Sequence, residues 1–172
     1  LLNATLISPA GDYEFTYTVF GAACASNSVT VIITVETPLN AGAATSTAVC
    51  DSENAFNLFT TLTGNDPDGT WNDDDGTGAL TNNFLDATSL APGPYDFTYT
   101  VFGTACPDDS ETVIITINSV STDPSSITAT PAILCGEGPV DLQVIGGSLG
   151  TGANWAWYEG DPNGGGLFLF ST

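Results

Sequence analysis

The sequence predicts an all-β protein, and three observations carry that expectation. Apolar and polar residues alternate along short segments: from Tyr95 onward, Tyr95, Phe97, Tyr99 and Val101 share one face while Asp96, Thr98 and Thr100 take the other, which is the two-residue period of a strand. Glycine and proline interrupt the chain every few residues, with 19 Gly and 10 Pro in 172 positions, and no segment joins a helical period to helix caps. The chain also repeats itself: YEFTYTVFGAAC at 13–24 and YDFTYTVFGTAC at 95–106 differ at two of twelve positions.

The repeat sets the expected organisation. Tyr13 and Tyr95 are 82 positions apart, as are Cys24 and Cys106, and SVTVIITVE (28–36) matches SETVIITIN (110–118) at the same offset. Upstream, LNAT (2–5) matches LDAT (85–88) with a shift of one residue. A weaker correspondence links TSTAVCDSENAFNLF (45–59) to TATPAILCGEGPVDLQV (128–144). The unit is thus about 80 residues, the size of a small domain. The chain reads as the C-terminal part of one unit (1–37), a complete unit (38–118) and the N-terminal part of a third (119–172). The tail and head pieces are complementary, so neighbouring chains could join through them.

Within a unit the elements follow in order. AFNLFTTL (55–62) and GTWND (69–73) read as strands, with VDLQVIGG (140–147) and ANWAWYE (153–159) as their counterparts in the last unit. Residues 97–117 read as a β-hairpin whose second strand turns Val113, Ile115 and Ile117 inward, with GTACPDDSE as its turn-rich loop, and residues 15–35 as its copy. The segment Leu90-Ala91-Pro92-Gly93-Pro94-Tyr95 passes through a Pro-Gly turn into a strand-initiating tyrosine. It resembles the tyrosine corner of immunoglobulin-like sandwiches, in which the phenol bonds to backbone a few residues upstream. Trp71, and Trp155 or Trp157 in the third unit, would be the core indole. The expected fold is therefore all-β: tandem immunoglobulin-like β-sandwich repeats of about 80 residues, with partial units at both ends.

The charge is one-sided. The chain has no Lys, Arg or His and 20 acidic residues, for a formal charge of −20, where an average chain of this length would carry roughly 20 basic residues. No side-chain ion pair can form. The carboxylates must be solvated, hydrogen-bonded to backbone N–H groups or neutralised by cations. Nucleic acid and anionic membrane surfaces are poor partners for such a chain. Disorder is not implied, because 42% of residues are hydrophobic and only 12% are charged. No apolar run approaches the roughly 18 residues of a membrane span. The first residues, LLNATLISPAG, lack the basic and apolar regions of a secretory signal.

Asn65–Gly78 (NDPDGTWNDDDGTG) is the strongest local candidate for chemistry. Asp66, Asp68, Asp73, Asp74 and Asp75 crowd one loop and strand end, and calcium accepts six to eight oxygen ligands in permissive geometry. The same residues also suit a solvated hairpin rim built on Asx-turns. Asp108 and Asp109 form a weaker second candidate. Catalysis is not expected: with no His, Lys or Arg and no GxSxG, nothing converges to raise a carboxyl pKa or activate a nucleophile. Trp155, Trp157 and Tyr158 could stack on a sugar, but strand alternation places the two indoles on one face, where core packing is the favoured role. The four Cys form no CxxC pair. Pairing of Cys50 with Cys106 within the complete unit is the simplest disulfide scheme, although the two loops should lie at opposite ends of a sandwich, beyond a disulfide's reach.

With TWNDDDGTGAL, FLDATSLAPGPYDFTYTVFGTACPDDSETVIITI and GGSLGTGANWAWYEG in view, the chain resembles the Ig-like tandem repeats of giant secreted surface proteins of the Bacteroidota, such as gliding-motility and adhesion proteins. The resemblance covers nearly the whole chain. It implies export, commonly by the type IX system, to the cell surface or an extracellular fibre; the repeat and the lack of a convergent site add the expectation of a non-catalytic, acidic spacer in an adhesin or filament, one that calcium at the Asp loop could stiffen. Neighbouring repeats or copies of the chain would be its partners. The alternative is a carbohydrate- or surface-binding module of a larger secreted protein, with glycans or host and cell surfaces as partners. Family repeats often contain Lys and Arg, which this chain lacks.

Overall fold

A computed structural model describes residues 9–160 and the backbone of 167–171; residues 2–5, matched above to 85–88, lie outside the described part. The chain is all-β. The duplicated segments are duplicated in three dimensions. β1 (Gly11–Val19) and β2 (Asn27–Val35) form one antiparallel hairpin, with Phe15 opposite Val31. Residues 82 positions later form another, with Phe97 opposite Val113. Tyr95 donates its hydroxyl proton to the Ala91 carbonyl at 3.1 Å, and Tyr13 does the same to Pro9, so the tyrosine corner occurs in both copies. Thr16 meets Thr30 at 2.8 Å across the first hairpin, and Thr98 meets Thr112 at 2.7 Å across the second.

Residues 38–118, the segment expected to be the complete unit, follow. β3 (Ala43–Ala44), β4 (Thr47–Cys50), β5 (Phe56–Asn57), β6 (Leu62–Thr63), β7 (Thr70–Asp73), β8 (Leu80–Thr81), β9 (Phe84–Leu85), β10 (Gly93–Val101) and β11 (Asp109–Asn118) build it. Its larger sheet has the order β4-β11-β10-β7, with β4 parallel to β11 and the other pairs antiparallel. The smaller sheet β5-β9-β8 and the ladder β3-β6 supply the rest. Phe97, Tyr99, Val113, Ile115 and Ile117 pack in one buried cluster with Leu58, Leu62, Leu85 and Ala87. These are the inward faces that the alternation predicts. Every fully buried apolar residue of the cluster lies between Ala41 and Ile117.

One predicted strand is different. AFNLFTTL is not continuous: β5 ends at Asn57, and Leu58–Thr61 wind into a 3-10 turn before β6. The Asn57 side chain accepts from the Phe59 N–H at 3.0 Å, and the Thr60 and Thr61 hydroxyls donate to carbonyls three residues back. Local side-chain hydrogen bonds of this sort compete with a ladder. The turn still buries Leu58 and Leu62. A second short 3-10 turn, Ala87–Ser89, is capped by Asp86.

The third segment has β12 (Ser126–Thr130) antiparallel to β13 (Asp141–Ile145), and β14 (Ala156–Glu159) antiparallel to β15 (Leu167–Ser171). β14 thus begins after Trp155, later than its sequence counterpart suggests. The junction with the complete unit is made at Asp51: its N–H donates to the Asn118 carbonyl at 2.8 Å, and its carboxylate accepts from the Val120 N–H at 3.1 Å. No described helix is long and apolar enough to cross a membrane.

Candidate functional site

The acidic loop and the edge strand β7 frame a concavity of the 38–118 segment. Strand alternation puts Trp71 and Asp73 on one face of β7 and Asn72 on the other. Trp71 is half-buried and packs against the core, with its ring 5.7 Å from Phe59 in edge contact and 5.2 Å from Tyr99. It is therefore the core-facing indole expected on this strand. Above it lies a cleft of about 440 Å³, lined by Phe59, Trp71, Asp73, Leu80, Asn82 and Asn83 among others. The Trp71 Nε1–H and the Asp73 Oδ1 are buried without a hydrogen-bond partner.

The other Asp73 oxygen anchors a turn, accepting from the Thr77 hydroxyl at 2.9 Å and the Gly78 N–H at 2.8 Å. Burial works against the charged form of Asp73. The hydrogen bonds from Thr77, Gly78 and Gly76 together outweigh it and hold the carboxyl below its ordinary range. Asp73 is also the one acidic residue lining this cleft. A carboxylate held ionised and alone is unsuited to protonating a leaving group, which needs a raised pKa and a partner carboxylate. The cleft offers one anion, amide side chains and an aromatic wall, which is hydrogen-bonding rather than acid–base chemistry.

Asn82 and Asn83 were not singled out from the sequence, although a signal is present. They are the two central residues of the β8–β9 hairpin, with Asn82 at φ 55°, and asparagine is among the few residues that tolerate this conformation in tight turns. Asn83 donates to the Asn57 side chain at 2.8 Å, which ties the cleft wall to the 3-10 turn.

The five aspartates proposed as calcium ligands are not brought together. Asp66 accepts from the Asn40 N–H at 2.9 Å, Asp74 from the Thr98 hydroxyl at 2.6 Å, and Asp75 from the Asp96 N–H at 2.8 Å. Asp68 sits at a turn with φ 70°. Asp66, Asp73, Asp74 and Asp75 are thus aimed at different partners, and among the described residues no three acidic or thiol groups are placed to share a metal ion. Asp108 accepts from the Gly103 N–H and Asp109 from the Ala41 N–H, so these two also point to separate partners.

Cys50 and Cys106 do not pair, which corrects the simplest disulfide scheme. Cys50 lies beside Asn118 at the end of β11, while Cys106 precedes its start. A ten-residue strand spans about 30 Å at 3.3 Å per residue, far beyond disulfide range. Cys24, Cys50, Cys106 and Cys135 are all free thiols, and Cys106 donates weakly to the Thr37 carbonyl at 3.5 Å. Trp155 and Trp157 are half-buried while Tyr158 is exposed, and Trp155 precedes β14. A register shift follows Trp157. The chain matches no protein family model, no curated protein and no solved structure.

Proposed function

We propose that the chain is a non-catalytic structural segment, an acidic spacer of sandwich units in series within an extracellular surface adhesin or filament. The observation that carries this reading is the duplication at atomic detail: corner, register, cross-strand threonines and loop recur at a fixed offset of 82 residues. A module selected for one binding or catalytic site has no need of a second copy of its hairpin, whereas a spacer gains length with every copy. The acidic skin supports the same reading, since a net charge of −20 keeps such an array solvated and discourages collapse onto itself.

Small-angle scattering at high dilution tests it. A compact single domain of 172 residues would have a radius of gyration of about 16 Å. A spacer should give a clearly larger value and an elongated distance distribution, and a value near that of the compact domain would overturn the reading.

The Trp71 cleft favours a second reading, a carbohydrate-binding module. Its aromatic wall and amides are the groups that recognise sugar hydroxyls. Glycan-array binding lost on Asn82→Gly, which keeps the left-handed turn conformation and removes the amide, with the melting temperature unchanged, would support it; an array without hits would remove it.

A further inference from the structure

The two hairpins share sequence and register, yet their surroundings differ. Tyr99 and Val113 are 0% exposed, whereas Tyr17 and Val31, their counterparts, are 69% and 57% exposed. What covers β10–β11 is visible in the same molecule. β4 adds in parallel to the edge of β11, and Leu58, Leu62 and Leu85 join its face in one core. At the far end of the chain the situation is reversed. Residues 119–145 include the sequence counterpart of that cover, and among the described residues no hairpin of the β10–β11 kind lies against it. β12 and β13 set Ile127 opposite Val144 and Ala129 opposite Leu142, and both Ile127 and Leu142 are exposed.

The segment Ala132–Cys135 is the most telling. Aligned through Cys135, it corresponds to Thr47–Cys50, yet it forms no strand. Thr47–Cys50 is a strand because the edge of β11 supplies partners for its N–H and C=O groups. Ala132–Cys135 has no such edge among the described residues. Leu134, the counterpart of the core-packed Val49, is 43% exposed.

We propose that these two faces are mates and that the occupant of each is a second copy of this chain. Ala132–Cys135 of one copy adds in parallel to the outer edge of β2 in the next, and the β12–β13 ladder closes over Phe15, Tyr17 and Val31. The internal template sets the register. Ile115 pairs with Thr47, Ile117 with Val49 and Asn118 with Cys50, so Ile33 takes Ala132, Val35 takes Leu134 and Glu36 takes Cys135. Backbone bonding to an open sheet edge gives affinity, and alternate side chains give specificity. The contact is heterologous, so each added copy leaves one hairpin and one cover free and growth is head to tail. Each copy carries −20, so repulsion opposes the contact and salt promotes it. This deepens the spacer reading and rests on its repeat architecture.

The test is light scattering of the 172-residue chain over rising protein and NaCl concentrations. Mass is expected to grow with both. Val31→Asp and Leu134→Asp lie at exposed positions, so each should abolish growth while the melting transition of the complete unit is kept. Mixed in equal amounts, the two variants retain one intact hairpin and one intact cover between them, and should give heterodimers and nothing larger. Under oxidant, Glu36→Cys should form a ladder on non-reducing gels through Cys135 of the next copy, and a further Cys135→Ser change should remove it. A chain that stays monomeric at every concentration and salt overturns the proposal, as does a variant mixture that stays monomeric. Growth that survives Leu134→Asp also overturns it, because the hairpin would then be pairing with itself. All three results leave the spacer reading standing. That reading fails separately, on a compact radius of gyration at dilution.

Discussion

Tyr99 can be wholly buried because its hydroxyl is satisfied. It accepts from the Gly69 N–H and donates to the Asp66 carbonyl, both at 2.9 Å, and so pins the acidic loop to the sheet. Tyr99→Phe leaves both backbone groups without that partner and should cost about 1–3 kcal/mol. Tyr17→Phe, at the exposed equivalent, should stay within about 0.5 kcal/mol. Urea denaturation of the two variants measures the contrast. Asp73 belongs to the same scale. Its carboxyl is depressed in the folded protein, so the stability it contributes is present above the ordinary aspartate value of about 3.9 and is lost as pH falls through the lower folded value. Asp73→Asn should therefore narrow its stability difference from the parent as pH drops through that window, a comparison in which the other carboxylates cancel.

At the scale of elements, carboxylates do the work that ion pairs do elsewhere. The segment leading into β3 is held on β11 by Asp109, which accepts from the Ala41 N–H at 2.7 Å, and by Glu111, which accepts from the Ala44 N–H at 3.1 Å. Charged acceptors give hydrogen bonds about twice as strong as neutral ones, so an acidic chain with no cations can still fasten its strands. The β10–β11 loop relies on Gly103. A Cβ there would stand 2.0 Å from the Cys106 carbonyl oxygen, and Gly21 meets Cys24 in the same way at 2.1 Å. Gly103→Ala must move the backbone and should cost about 1–3 kcal/mol, the usual range for overpacking. Faster amide exchange confined to the loop, together with a lower melting temperature, would identify the cause.

The whole molecule carries charge of a single sign. Self-repulsion destabilises a compact state, so the melting temperature should rise with NaCl as screening shortens the Debye length. Because the aspartates of the acidic loop are directed to separate partners, Ca²⁺ should raise the melting temperature no more than Mg²⁺ at equal ionic strength. A Ca²⁺-specific rise would mean that the loop rearranges to bind, since an ion that prefers the folded state must increase its stability.

The sequence by itself determined the two hairpins, the repeat and the tyrosine corners, because alternation, turn residues and an internal copy are local or one-dimensional signals. Val113, Ile115 and Ile117 could be assigned to the core from their period alone. The 3-10 turn at Leu58–Thr61 could not, since whether Asn57 caps a turn or extends a strand depends on what Leu58 must reach. Only the tertiary structure decided the fate of the carboxylates: of five aspartates close in sequence, Asp66, Asp73 and Asp75 are claimed by the backbone N–H groups of Asn40, Gly78 and Asp96, and Asp74 by the Thr98 hydroxyl. It also decided the cysteines, which β11 holds a strand's length apart. Most of all it separated two nearly identical hairpins, one sealed in a core and one open. A strand's sequence specifies which face is apolar, and only its neighbours determine whether that face is covered.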